Sequence, residues 1–158
     1  MRYAAFAIAL LALAPAAQAQ YKVSEVMDKG GRIMNAEEVR AELSGAKISG
    51  VNEFGASFEI ELKTDGKTDG VIYTPRGPGA LSGTWKVNGK NQICTDFVFS
   101  LTGATISRCV WYWKAAGEYY STNSQTDAEA ANDLVECLLA GGQDCKRDIA
   151  LGKRTVKK

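Results

Sequence analysis

Residues 81–99 read LSGTWKVNGKNQICTDFVF, and this run decides the fold class. Leu81, Trp85 and Val87 alternate with Ser82, Thr84 and Lys86, the period of a strand with one dry face and one wet face. Asn88-Gly89 follows. Both residue types tolerate positive φ, so the pair is a hairpin signal. A second strand is expected over Gln92–Phe99.

The same period extends outward. Upstream, Phe58, Ile60 and Leu62 alternate with Ser57, Glu59, Glu61 and Lys63. Asp65-Gly66 and Asp69-Gly70 read as turn dipeptides, and Val71–Thr74 as a short strand. Pro75-Arg76-Gly77-Pro78-Gly79 reads as a rigid, irregular loop. Downstream, a turn near Leu101-Thr102-Gly103 precedes a strand over Thr105–Lys114. A last strand, Glu118–Ser121, follows Ala116-Gly117. Short connections make sequential strands pair antiparallel. The expectation is mainly β: a small antiparallel β-barrel or barrel-like sandwich.

A helix is expected on each side. Asn35 is placed to cap a helix over Ala36–Leu43, with Glu38 at the reciprocal capping-box position and Gly45 just past the end. Thr126 and Glu129 form a second such box. Ala131, Leu134, Val135 and Leu138 make an apolar stripe that runs toward Gly141-Gly142. One domain over residues 35–145 results. Residues 20–34 read as a loosely attached lead-in. Residues 146–158, with Lys146, Arg147, Lys153, Arg154, Lys157 and Lys158 against Asp148, read as a solvated basic tail.

Residues 1–19 carry Arg2, an apolar run from Ala4 to Leu13, and Ala17-Gln18-Ala19, the three parts of a secretory signal peptide. A periplasmic or secreted protein of 139 residues beginning at Gln20 is expected. Without Arg2 the basic residues number 18, equal to the 18 acidic ones. That balance argues against nucleic acid as a partner. No later apolar stretch approaches the length of a transmembrane segment. There is no histidine, which removes Ser-His and Cys-His nucleophile pairs and every His-bearing zinc site. No cofactor and no metal are expected.

The four cysteines, Cys94, Cys109, Cys137 and Cys145, read as disulfides in an exported chain; a four-thiolate zinc site lacks its close CxxC spacing. If Leu101-Thr102 centres the turn, Cys94 and Cys109 fall directly opposite each other on adjacent strands. Cys137 then pairs with Cys145.

The aromatic residues are the first functional candidates. Trp111, Tyr112 and Trp113 are consecutive, and Tyr119-Tyr120 follow. Alternation sends Trp111 and Trp113 to one face and Tyr112 to the other. Trp111, Trp113 and Tyr119 either form an exposed platform for a sugar or protein partner, or lie beneath the C-terminal helix stripe. Arg76, on the Pro/Gly loop, is a second candidate for recognition. Glu59 and Glu61 are a weak candidate pair for glycan hydrolysis. Asp65 and Asp69 lack the full spacing of a calcium loop and read as turn residues.

Leu43–Gly50, Asp65-Gly66, Ser82–Val87 and Ile93-Cys94 with the later Cys109 together give a pattern that resembles the exported proteobacterial domain-of-unknown-function 995 family over about residues 36–121. The resemblance implies a β-rich fold and export, and it brings no activity or catalytic residue. The expected function is a non-enzymatic binding or interaction module of the bacterial envelope, directed at an envelope protein or a small ligand. A carboxylate-dependent hydrolase acting on envelope glycans is the alternative.

Overall fold

The computed structural model describes residues 20–122, 130, 133–134, 136–137, 140 and 148–158. Its elements, in chain order, are β1 (Tyr21–Lys22), α1 (Val23–Asp28), β2 (Arg32–Ile33), α2 (Ala36–Leu43), β3 (Ala46–Val51), β4 (Ser57–Leu62), β5 (Lys67–Thr74), β6 (Gly77–Val87), β7 (Ile93–Phe99), β8 (Thr105–Val110), β9 (Tyr112–Ala115), β10 (Glu118–Thr122) and β11 (Ala150–Lys157). The fold is mainly β, as expected. One antiparallel sheet runs β2-β9-β10-β11-β3-β4-β5-β6-β7-β8, with β1 paired to β11.

The sheet curls. β8 and β9 are one run bent at Trp111: its first half pairs with β7 and its second with β10. β11 pairs with β3, so the meander comes round on itself as a barrel-like wall. Its inner face buries Ile48, Phe58, Ile60, Leu62, Leu81, Trp85, Phe97 and Tyr112. Helix α2 closes one end of this interior with Val39 and Leu43, both fully buried.

The helix forms where its cap dictates. Asn35 Oδ1 accepts from the N–H groups of Glu37 and Glu38 at 3.0 and 2.9 Å, and Glu38 accepts from the Asn35 N–H at 3.0 Å. Gly45, at φ 76°, lies just past the end. The Cys94–Cys109 bridge is present, on directly opposed residues of β7 and β8. Cys137 is also disulfide-bonded; the pairing expected for it, with Cys145, involves a residue outside the described set. The second capping box, Ala131, Val135 and Leu138 likewise lie outside it.

Four expectations are corrected. The basic tail is not solvated: β11 lies inside the sheet between β10 and β3, with Leu151 fully buried and Arg154 at 5% exposure. The alternation was hidden because its inward-facing position is an arginine. That guanidinium donates to Ser121 Oγ (2.9 Å) and the Val51 carbonyl (3.0 Å), and sits 5.3 Å over the Phe58 ring. Such pairing lets a charge enter a core.

The lead-in is not loose either. Val23, Val26 and Met34 are fully buried: α1 sets Val23 and Val26 on the outer core with Trp113, Tyr120 and Leu151, while Met34 enters the barrel interior beside Val39 and Tyr112. Gly30-Gly31 stops that helix: the Gly31 N–H donates to the Val26 carbonyl at 2.9 Å.

Asp69-Gly70 is not a turn but lies within β5. A Cβ on Gly70 would stand 2.2 Å from the Glu59 carbonyl oxygen, so glycine is there for close strand approach. The Pro75–Gly79 segment is not an irregular loop. Thr74 pairs with Gly77 across a two-residue turn, and Pro78 joins β6 beyond the last residue that β7 reaches, Leu81, where no N–H is required.

The Asn88-Gly89 hairpin joins β6 to β7 as expected, but through a longer loop. Asn91, not Gly89, takes positive φ (62°), and Asn88 Oδ1 accepts from Lys90 and Gln92 N–H groups at 2.9 and 3.0 Å.

Candidate functional site

Trp111 and Trp113 do not form a platform. Trp113 is fully buried and Trp111 is 5% exposed, in a second core with Val23, Val26, Tyr120, Leu134, Ile149 and Leu151. The face alternation holds, since Tyr112 points into the barrel core. The cover is shared between α1 and helical backbone around Leu134. Of the expected stripe, the described residue Leu134 supplies part of the cover, and Val23 and Val26 of α1 supply more.

Tyr119 is committed to a polar network at the end closed by α2. Its hydroxyl donates to Glu42 at 2.5 Å, and Lys114 Nζ donates to both Glu42 oxygens at 2.7 Å. The Lys114 ammonium beside Glu42 holds that carboxyl below the usual range, helped by the Tyr119 hydroxyl. The same contact raises Lys114 and Tyr119. Nearby, Arg32 pairs with Glu38 and draws it down to about 2.

This network joins helix to sheet, and its stability follows pH with a definite sign. Glu42 titrates lower folded than unfolded, so its contribution is complete above the ordinary carboxylate range and fades as pH falls through the folded value. Lys114 and Tyr119 are raised, so theirs is complete below their unfolded values and fades as pH climbs past the folded ones. Glu42→Gln should therefore flatten the acid limb of a melting-temperature profile. An unaltered limb would show that the contact is energetically silent.

Arg76 is exposed at the tip of the β5–β6 turn, as a recognition residue must be. It has company that sequence reasoning missed. Among the described residues, the exposed large apolar side chains are Phe54 (85%), Tyr73, Val98, Leu101 and Ile106. Phe54 is in the β3–β4 turn and Leu101 in the β7–β8 turn; Val98 and Ile106 are within two residues of the latter, and Tyr73 is within two residues of the β5–β6 turn. All therefore gather at the barrel end opposite α2. The turns at the α2 end offer Asp65, Lys67, Asn88, Lys90 and Glu118 instead. The available signal was Phe54 itself, an apolar ring between Asn52-Glu53 and Gly55, outside any strand period.

The Phe54 turn is held in one shape. Asn52 Oδ1 accepts from the N–H groups of Phe54 (3.0 Å) and Ala56 (2.9 Å), and the Asn52 N–H donates to the Ala56 carbonyl at 3.0 Å.

Beside this turn a groove of about 980 Å³ lies on the outer face of β11, β3 and β4. Glu59 is on its floor. Glu61 lies farther along β4, opposite Lys47 and Asp69. Asp65 caps its own turn by accepting from the Lys67 N–H, while Asp69 pairs with Lys63. Comparison with known proteins returns nothing: no family model, curated protein or solved structure matches the chain. Among the described residues, no group of three or more carboxylates or thiols is placed to hold a metal ion, and no helix is long and apolar enough to cross a membrane.

Proposed function

We propose that the protein is a non-enzymatic interaction module of the bacterial envelope, exported by the leader at residues 1–19, and that it docks a protein partner through the hairpin end carrying Phe54, Arg76 and Leu101. The observation that carries this reading is the gathering of exposed large apolar residues at one end of the barrel. Aromatic residues and arginine are what protein interfaces favour. A side chain held out by a braced turn loses little entropy on binding.

A membrane surface is the less favoured occupant. The three turns at this end carry one acidic residue, Glu53, and one basic, Arg76, whereas binding to anionic lipid draws on clustered Lys and Arg. The disulfides accord with an oxidising compartment. The resemblance over residues 36–121 belongs to the same reading.

The test is a binding comparison. Phe54→Ser combined with Leu101→Ser should weaken a purified envelope partner's Kd by about 30-fold or more, with the melting temperature unchanged because both side chains are already solvated. Equal affinity of the folded double variant and the parent would sink the docking surface.

A further inference from the structure

We propose that the groove on the outer face of β11, β3 and β4 is a separate binding site for a neutral oligosaccharide. Its floor comes from rigid sheet. Thr155 pairs with Ser49, and Ser49 with Glu59, so two hydroxyls and a carboxylate stand in a row across three adjacent strands, about 4.8 Å from one to the next. Ser57 adds a third hydroxyl, and Asn52 an amide whose Oδ1 is committed to its own turn. Tyr21 and Tyr73 line the groove as well. Tyr73 is 55% exposed, and Tyr21 is held edge-on against Tyr120 with ring centroids 5.1 Å apart.

That combination matches the chemistry of a sugar. A pyranose has hydroxyl edges that both donate and accept, and an apolar C–H face that packs on an aromatic ring. Ser and Thr hydroxyls meet the edges in either sense, and a carboxylate accepts from two hydroxyls at once. The Tyr rings offer the apolar surface. The volume lies at the upper end of the range for small-molecule sites, about 300–1,000 Å³, so a chain of several rings fits better than a single one.

Other ligand classes fit worse. An apolar ligand would strip water from Glu59 and the hydroxyls without replacing its hydrogen bonds. A polyanion would meet the exposed carboxylates of Glu53 and Glu59, while Lys153, the cation of the wall, is already paired with Glu118. A polyamine would satisfy the carboxylates and leave the hydroxyl row unused.

The experiment is titration of the purified protein with chitotetraose, cellotetraose and maltotetraose, read by amide shifts in a two-dimensional NMR spectrum. At least one sugar should give saturable shifts at Ser49, Ser57, Glu59 and Thr155. Glu59→Gln and Tyr73→Ala should each weaken that binding by about tenfold or more. Both side chains point outward, so an unchanged melting temperature controls for folding. Three results each overturn the proposal: no groove shifts with any sugar, sugar binding untouched by both substitutions, or tighter binding of spermine than of every oligosaccharide. Replacing Phe54 and Leu101 should leave the sugar titration unchanged, so the two surfaces are tested apart.

Discussion

A chain ending at Ile149 should fail to fold. The missing residues include β11, which lies between β10 and β3 and also carries β1. Its loss strands the backbone donors and acceptors of three strands at once. It also removes Leu151, fully buried in the outer core, and Arg154, which ties Ser121 on β10 to the Val51 carbonyl at the end of β3. Each unpaired buried backbone group costs about 1–3 kcal/mol, and a domain of this size holds only about 5–15 kcal/mol in total. Dispersed amide NMR signals and a cooperative denaturant transition should both vanish. A truncated chain that kept either one would mean that the last nine residues are an appendage after all.

Trp113→Ala should be the most damaging single substitution. Trp113 is fully buried between the curled sheet and its outer cover, on the face opposite Tyr112. Truncating a large buried aromatic costs about 3–5 kcal/mol, through the lost burial of its atoms together with the cavity left behind. α1 has only six residues and leans on this ring, so the site has little with which to refill the space. The indole N–H makes no hydrogen bond among the described residues, so Trp113→Phe should be clearly milder, since it removes volume without orphaning a described partner. Urea unfolding of the three proteins measures this directly. A loss under about 1 kcal/mol for the alanine variant would contradict the packing described.

Much of the fold was legible because its signals are local. The Asn35–Glu38 cap acts within three residues and marks the start of α2. The Cys94–Cys109 bridge follows from counting outward from one turn. The alternation in β4 and β6 survives because their outward positions are polar and their inward ones apolar. Legibility failed where a residue answers to a distant neighbour. Gly70 looks like half of a turn until β4 is beside it. Arg154 looks solvated until Ser121, Val51 and Phe58 surround it. Val23 and Val26 look incidental until Trp113 and Tyr120 need covering.

The functional residues divide in the same way. Arg76 could be placed on the surface from its prolines and glycines, since a turn rigidified by them stays outside. Trp111 and Trp113 could not be assigned to core or surface, because alternation gives the side of a strand and not what lies over it.

From its chain alone this protein declares a β meander, a capped helix and one cross-strand bridge, all written in contacts between residues near in sequence. The folded state adds the return of β11 to β3, the burial of the tryptophans, and the gathering of Phe54, Arg76 and Leu101 at one end. Those arise when strands far apart in the chain become neighbours, and no local pattern encodes which surface a curled sheet leaves bare.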